Sequence, residues 1–226
     1  MNLLIGDSHI LCLEDYNKNN NELHHFSAAS IQGLVNKNSI SGTRDEILNL
    51  LKTNKYEKLF IMFGKVDIEW CYPYKCKKEN INFNEFVNNT LNKYIEFINS
   101  ISSFFNIIYV MGLHLPSLEE IDMLKCINEY DSIKNVSSKA IIEPNFNLIT
   151  QIGCLKTRTL QILYFNENLK EKIKDIDKYK YIDINDELLD KLTNTCKKEF
   201  IENFDHHLIR NKTGSIWFNK HLKFAF

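Results

Sequence analysis

Three short, largely apolar segments, each followed directly by a glycine, constrain the fold of this chain more than any other feature. Segments of this length are typical of strands that are buried on both faces of a parallel sheet. Between them lie longer segments with apolar residues at spacings of three and four, which predict amphipathic helices. The apolar segments are Asn2–Ile5 before Gly6, Lys58–Phe63 before Gly64, and Asn106–Met111 before Gly112.

The alternation of strand and helix segments predicts an α/β fold, a three-layer α/β/α sandwich around a mainly parallel sheet. With 226 residues and no internal boundary, the whole chain, 1–226, is expected to form one domain. The least patterned segment, 130–144, is interpreted as a lid or an insertion. The other predicted elements are helices at Thr43–Lys55 and Asn84–Phe105, a mostly helical segment at Phe146–Ile173, a strand at Tyr179–Ile184 and a last helix from Thr213.

The charge balance and the lack of long apolar segments exclude several classes of protein. Lys and Arg together number 28 against 29 Asp and Glu, a formal charge of −1, so no basic surplus indicates a nucleic-acid partner. No stretch approaches the roughly 18 apolar residues of a membrane span, and the first apolar segment is too short for a signal peptide. A cytoplasmic protein with reduced cysteines is expected. The oligomeric state is left open.

A candidate nucleophile follows the first predicted strand, in the sequence Gly6-Asp7-Ser8-His9. In open α/β sheets the ligand crevice lies beyond the carboxyl ends of the strands, which is where this turn falls. A serine hydroxyl at a strand–helix junction becomes a nucleophile when a base takes its proton. The alternative is that Asp7 or Ser8 only caps a helix.

A candidate base lies near the end of the chain, in Asp205-His206-His207-Leu208. A carboxylate beside an imidazole fixes its tautomer and stabilises its charged form, as a general base requires. Two further turns, at 28–34 and 63–67, contain Gly33 and Gly64. Backbone N–H groups in such turns can face an oxyanion.

The order of these four segments resembles that of the SGNH (GDSL-type) hydrolase superfamily, whose blocks contain Gly-Asp-Ser, a Gly, Gly-x-Asn-Asp and Asp-x-x-His-Leu. His9, Phe63-Gly64 and Asp67 resemble the GDSH-initiated members associated with surface-glycan genes. The resemblance implies an SGNH-hydrolase-like (flavodoxin-like) fold. It also implies the following roles: Ser8 as nucleophile, His207 as base, Asp205 as its orienting acid, the N–H groups of Ser8 and Gly33 as oxyanion donors, and Gly64 and Asp67 at the oxyanion and substrate site.

The chain departs from the family pattern at two positions. Val66 stands where the family has the Asn whose side chain donates to the oxyanion, and losing one such donor typically costs about 10²–10³ in kcat. Asp205 lies two residues before His207 instead of three. If His206 were the base, the residue three before it would be Asn203, a poorer partner. Because Leu208 matches the family's His-Leu pair, His207 is preferred.

These observations predict a serine-dependent esterase or acyltransferase that acts on an O-acyl group, by resemblance an O-acetyl group, of a carbohydrate or glycoconjugate. The alternative is a catalytically impaired module of the same fold that binds a glycan or a partner, with Val66 marking a decayed oxyanion site. No cofactor and no metal site are expected. The pairs His24-His25 and His206-His207 lack the helical i, i+4 spacing of common zinc motifs, and the sequence contains no CxxC.

Overall fold

The computed structural model describes residues 1–17, 20–120, 122–123, 153–202 and 205–224. Its main sheet has five strands in the order β2-β1-β3-β4-β5, and every neighbouring pair is parallel. This is the flavodoxin-like order, so the predicted fold class is confirmed. The strands are β1 (Asn2–Gly6), β2 (Asn21–His25), β3 (Lys58–Met62), β4 (Ile107–Met111) and β5 (Tyr179–Ile182).

Helices connect the strands and cover the sheet. A 3₁₀ helix at Ser8–Tyr16 follows β1, and a π-helical turn at Asp67–Cys71 follows β3. A two-stranded antiparallel ribbon, β6 (Leu189–Asp190) with β7 (Thr195–Cys196), lies outside the main sheet. The α-helices are α1 (Ile31–Val35), α2 (Thr43–Thr53), α3 (Tyr72–Glu79), α4 (Phe83–Ile101), α5 (Leu155–Ile173), α6 (Asn185–Leu188) and α7 (Arg210–Lys220). Short 3₁₀ turns lie at Ser102–Phe104, Lys198–Phe200 and Leu222–Phe224.

The strand order determines on which face each connection lies. Parallel connections are right-handed, and the chain moves in opposite directions from β1 to β2 and from β2 through β3 to β5. The 3₁₀ helix therefore covers one face of the sheet, while α1, α4 and α5 cover the other. Packing agrees with this, because α4 packs against α1 and α5, and α7 packs against the 3₁₀ helix.

The core lies where the central strands meet these helices. Leu3, Leu4 and Ile5 of β1 are fully buried, as expected of a strand covered on both faces. On α4 the buried side chains recur at spacings of three and four, the pattern of an amphipathic helix. Its Tyr94 hydroxyl accepts a hydrogen bond from the Phe63 N–H at 3.2 Å, which satisfies a polar group inside the core.

The structure differs from the expected elements in several places: the short helices α1, α3 and α6 and the β6–β7 ribbon were not predicted, and α2, α4 and β5 end two to four residues earlier than expected. The strand β2 was not predicted, because it lies at the edge of the sheet, four of its five residues are polar, and its side chains are partly buried or exposed. Helix α7 begins at Arg210, earlier than the predicted Thr213. Segment 130–144 and the start of the predicted Phe146–Ile173 helix lie outside the described residues. Within the described residues, no helix combines the length and apolar character that crossing a bilayer requires.

Candidate active site

The turn after β1 presents Ser8 at the carboxyl end of the sheet. Asp7 has extended backbone and caps the 3₁₀ helix, since its Oδ1 accepts the His9 N–H at 3.0 Å. The same oxygen lies 2.8 Å from His9 Nδ1. Both Asp7 and His9 are buried, whereas Ser8 between them is partly exposed. Asp7 therefore holds the turn in place, and the Ser8 hydroxyl remains accessible.

A second turn with the same spacing carries His207. The His207 N–H donates to Asp205 Oδ1 at 2.9 Å, and His207 Nδ1 lies 2.7 Å from the same oxygen. An isolated bridge between Ile201 and Leu208 holds the end of this turn. The Ser117 hydroxyl donates to the Asp205 carbonyl at 3.1 Å. These contacts fix the imidazole just before α7 begins.

The two turns meet at the Ser8 hydroxyl. His207 Nε2 lies 2.8 Å from Ser8 Oγ, although the residues are 199 positions apart in the chain. With Asp205 ionised, Nδ1 carries the proton and Nε2 accepts from the serine hydroxyl, which is the tautomer that a general base needs. The structure thus brings Ser8, His207 and Asp205 together in hydrogen-bonded sequence.

Electrostatics keep this carboxylate charged. Partial burial alone raises the pKa of Asp205, but the hydrogen bonds from His207 outweigh it and hold the pKa at about 2. The neighbouring His206 is different: burial, together with the charge of His207, lowers its pKa to about 2. His206 Nδ1 lies 3.6 Å from Asp205 Oδ1, farther than the nitrogen of His207. Of the two adjacent histidines, His207 has the base geometry at Ser8.

Asp67 holds the α1 turn from a buried position. Its carboxylate accepts the N–H groups of Ile31 at 2.7 Å and Gln32 at 3.3 Å. Burial raises its pKa to about 7, and these two hydrogen bonds oppose the rise. The side chain is completely buried. Asp67 therefore positions a loop, in contrast to the expectation that it contacts substrate.

Gly33 and Gly64 each have a structural role in their turns. The Gly33 N–H donates to the Ser30 hydroxyl at 3.1 Å, so it is bonded within its own helical turn and does not match the expected donor. Gly64 has a φ of 128°, a conformation that glycine adopts most readily. A Cβ there would lie 3.0 Å from Phe165 and 3.1 Å from Ile31. The glycine allows β3 to turn tightly under α1 and α5.

Val66, in the position of the family's Asn, is partly exposed at the start of the π-helical turn and offers no side-chain donor. Lys65 beside it does not replace that donor, because its Nζ donates to the His114 carbonyl at 2.8 Å. The same ammonium lies 3.5 Å from Glu69, which also pairs with Arg158 at 3.5 Å. Lys65, Glu69 and Arg158 form a buried ionic network, so Arg158 acts as a structural salt-bridge partner.

The aromatic residues of the segment after β3 pack against the protein. The Trp70 ring is buried and lies edge-on to His206, with centroids 6.3 Å apart. Tyr72 packs against Phe83 and Phe86. Trp70 and Tyr72 therefore pack within the protein. Asp7 has the helix-capping role that the sequence offered as an alternative. Sequence reasoning missed the pairing of Asp7 with His9 and the support from Ser117; the repeated Asp-x-His spacing was the available signal for the first.

Comparison with solved structures identifies the fold. A GDSL-like lipase from Bacteroides thetaiotaomicron matches with a TM-score of 0.59 and 11% identity, covering 100% of this chain and 88% of the other. An acetyl xylan esterase matches with a TM-score of 0.51 and 12% identity, covering 96% of each chain. The chain has the fold of GDSL-type hydrolases. No protein-family model matches its sequence, and no curated protein does.

Proposed function

We propose that this chain, which has a GDSL-type fold, is a serine-dependent esterase of the SGNH superfamily, or an acyltransferase with the same acyl-enzyme step. The observation that carries the proposal is the series from Ser8 Oγ through the His207 ring to Asp205 Oδ1, with separations of 2.8 and 2.7 Å. Both fall within the roughly 2.6–3.2 Å that links a nucleophile, its base and the orienting acid.

The reaction begins when Ser8 Oγ attacks the ester carbonyl carbon and its proton passes to His207 Nε2. Asp205 stays ionised and stabilises the imidazolium that forms. When the tetrahedral intermediate collapses, the ester C–O bond breaks and His207 returns the proton to the leaving alcohol oxygen. Water then attacks the acyl-serine with His207 as base, which releases the carboxylic acid and regenerates the Ser8 hydroxyl. A bound sugar hydroxyl in place of water would complete an acyl transfer.

The proposed substrate is a short O-acyl group, preferably O-acetyl, on a carbohydrate or glycoconjugate. The resemblance to GDSH-initiated members supports this choice, as does the similar fold of an acetyl xylan esterase. A small cavity of about 10 Å³ lies beside Ser8, His9 and His207. This is space for about one water molecule.

The Ser8 N–H, at the start of the 3₁₀ helix, is the proposed oxyanion donor. Val66 has no donor and the Gly33 N–H is bonded to Ser30, so fewer groups than usual stabilise the developing charge. This shortage favours a slow enzyme. It is also the observation behind the second candidate function, a catalytically impaired module that binds a glycan or a partner.

Labelling with a fluorophosphonate tests whether Ser8 is activated. The wild-type chain should be labelled and Ser8→Ala should not, with hydrolysis of an aryl acetate lost in the same variant. Acetylated sugars compared with aryl esters of longer acids then test the substrate class, and acetyl esters should be preferred. If Ser8 is not labelled and no ester is cleaved while an acetylated glycan still binds, the binding module replaces the enzyme.

A further inference from the structure

Three imidazoles meet where the two Asp-x-His turns approach each other. The ring centroid of His207 lies 4.7 Å from that of His9 and 3.9 Å from that of His206. One nitrogen from each of the three rings lies within 4.8 Å of the other two. The triad uses only one of these histidines, so it does not explain the cluster.

Carboxylates orient two of the three rings as they do in metal sites. His9 Nδ1 lies 2.8 Å from Asp7, and His207 Nδ1 lies 2.7 Å from Asp205. In metal sites the ligating histidine typically gives its other ring N–H to a carboxylate, which fixes the tautomer and leaves Nε2 for the ion. The two carboxylates also supply negative charge close to the cluster.

An unsatisfied atom points independently to a ligand. The His9 side chain is only 4% exposed. Its Nε2 is buried with no hydrogen-bond partner among the residues that the structure describes. Buried polar atoms are nearly always paired, so an unpaired imidazole nitrogen next to two other imidazoles needs an explanation.

We propose that His9, His206 and His207 bind a divalent transition-metal ion, best matched by Zn²⁺, and that the bound ion inhibits the esterase. Imidazole suits Zn²⁺, and three protein ligands leave a fourth position open. With Zn–N distances of 2.0–2.1 Å, tetrahedral ligand atoms are about 3.4 Å apart. The three ring nitrogens already lie within 4.8 Å of one another, so small ring movements would bring them to this spacing.

The bound ion inhibits because it occupies His207 Nε2, the atom that acts as base. His207 Nε2 has one lone pair, which either accepts the Ser8 hydroxyl proton or binds the metal. A bound Zn²⁺ therefore removes the base from Ser8. This inhibition depends on the proposed esterase function, whereas binding of the metal does not.

Isothermal titration of the full chain with Zn²⁺ alone, without substrate, tests the site. One ion should bind per chain, and His9→Gln should weaken binding at least tenfold. Asp7→Asn, which removes the carboxylate behind His9, should weaken it about 10–100-fold. The matched control is His25→Ala, which removes an exposed histidine outside the cluster and should bind Zn²⁺ like wild type. Thermal unfolding of each variant checks that it is folded.

Absence of Zn²⁺ binding to the wild-type chain would overturn the site, and so would unchanged affinity in a folded His9→Gln. Ser8→Ala offers a second measurement, because it removes the competing hydroxyl and keeps all three rings; its affinity should equal or exceed that of wild type. Zn²⁺ should also inhibit aryl acetate hydrolysis at the concentration at which it binds, reversibly with a chelator. Binding without any esterase activity would uphold the site and reject the enzyme, whereas activity that saturating Zn²⁺ leaves unchanged would reject the inhibition.

Discussion

The Asp7–His9 and Asp205–His207 turns have the same local geometry and different surroundings. In each, one carboxylate oxygen accepts the histidine N–H, at 3.0 and 2.9 Å, and lies close to the ring Nδ1, at 2.8 and 2.7 Å. The first pair is buried, with side chains 0% and 4% exposed, against 26% and 15% for the second. The spacing of the residues therefore sets the shape of the turn, and burial sets its chemistry.

The pKa values of the two carboxyl groups shift in opposite directions. Burial raises the pKa of Asp7 to about 6, although the His9 N–H opposes the rise. At Asp205 burial is incomplete, and hydrogen bonds from His207 hold the pKa at about 2. Asp205 is thus a permanent anion that can stabilise an imidazolium, as base catalysis requires. Burial keeps the pKa of His9 well below its usual value, so His9 resists protonation and is unsuited to that role.

The largest expected effect separates the histidines of the two turns. His207→Ala should lower kcat for aryl acetate hydrolysis by about 10⁵–10⁶, as much as Ser8→Ala, because members of a triad act as a unit. His9→Ala and His206→Ala should each retain at least about 10² more activity than His207→Ala, since it is His207 whose Nε2 lies 2.8 Å from Ser8 Oγ. Steady-state kinetics on the four variants provide the ranking.

The double variant Ser8→Ala/His207→Ala is the control for that ranking. It should be no slower than either single variant, because the second change removes a function already lost. A greater loss in His206→Ala than in His207→Ala would assign the base to His206 and leave the mechanism otherwise unchanged.

The next largest effect distinguishes the aspartates of the two turns. Asp205→Asn should lower kcat by about 10⁴, because an amide can favour the wrong tautomer of His207 and cannot neutralise the imidazolium. Asp7→Asn changes the same group in the buried turn and should cost much less. Similar losses in both variants, measured at equal folded fractions, would mean that the buried turn participates in the reaction directly.

The contrast between the turns also shows what the sequence could predict. The strands β1, β3 and β4 were predictable because each is a continuous apolar segment, whereas β2 is a polar edge strand with no such signal. The partnership of Ser8 with His207 followed from a family resemblance, since no local pattern spans 199 positions. The contact of His9 with His206 and His207 depends on how α7 packs, and the spacing of residues along the chain does not predict that packing.

A smaller effect concerns the oxyanion. The Ser8 turn contributes backbone N–H groups only, and Val66 supplies no donor. Val66→Asn should raise kcat by up to about 10² if its amide reaches the oxyanion, the value of one restored donor. Val66→Leu is the control, because it has nearly the shape of Asn without the N–H. No change would show that another group already donates, and a fall in both variants would show that Val66 is needed for packing.

The smallest expected effect tests what holds the two turns together. Helix α7 follows the Asp205 turn and packs against the 3₁₀ helix that follows Ser8, at Gly214. A Cβ at Gly214 would lie 2.1 Å from the backbone oxygen of Cys12, which cannot rotate away as a side chain would. Gly214→Ala gains up to about 1 kcal/mol of helix propensity, but overpacking of this kind costs about 1–3 kcal/mol.

We therefore expect Gly214→Ala to lower the free energy of unfolding in urea by about 2 kcal/mol, because a 2.1 Å approach to a backbone atom puts overpacking near the upper end of about 1–3 kcal/mol and propensity returns up to about 1 kcal/mol. It should also lower kcat, by less than the roughly 10²-fold that a full 1 Å displacement between base and nucleophile costs. Ser215→Ala, an exposed neighbour on the same helix, should change stability by less than about 0.5 kcal/mol and leave kcat unchanged. Equal stability and activity in the two variants would show that the contact at Cys12 does not set the distance between His207 and Ser8.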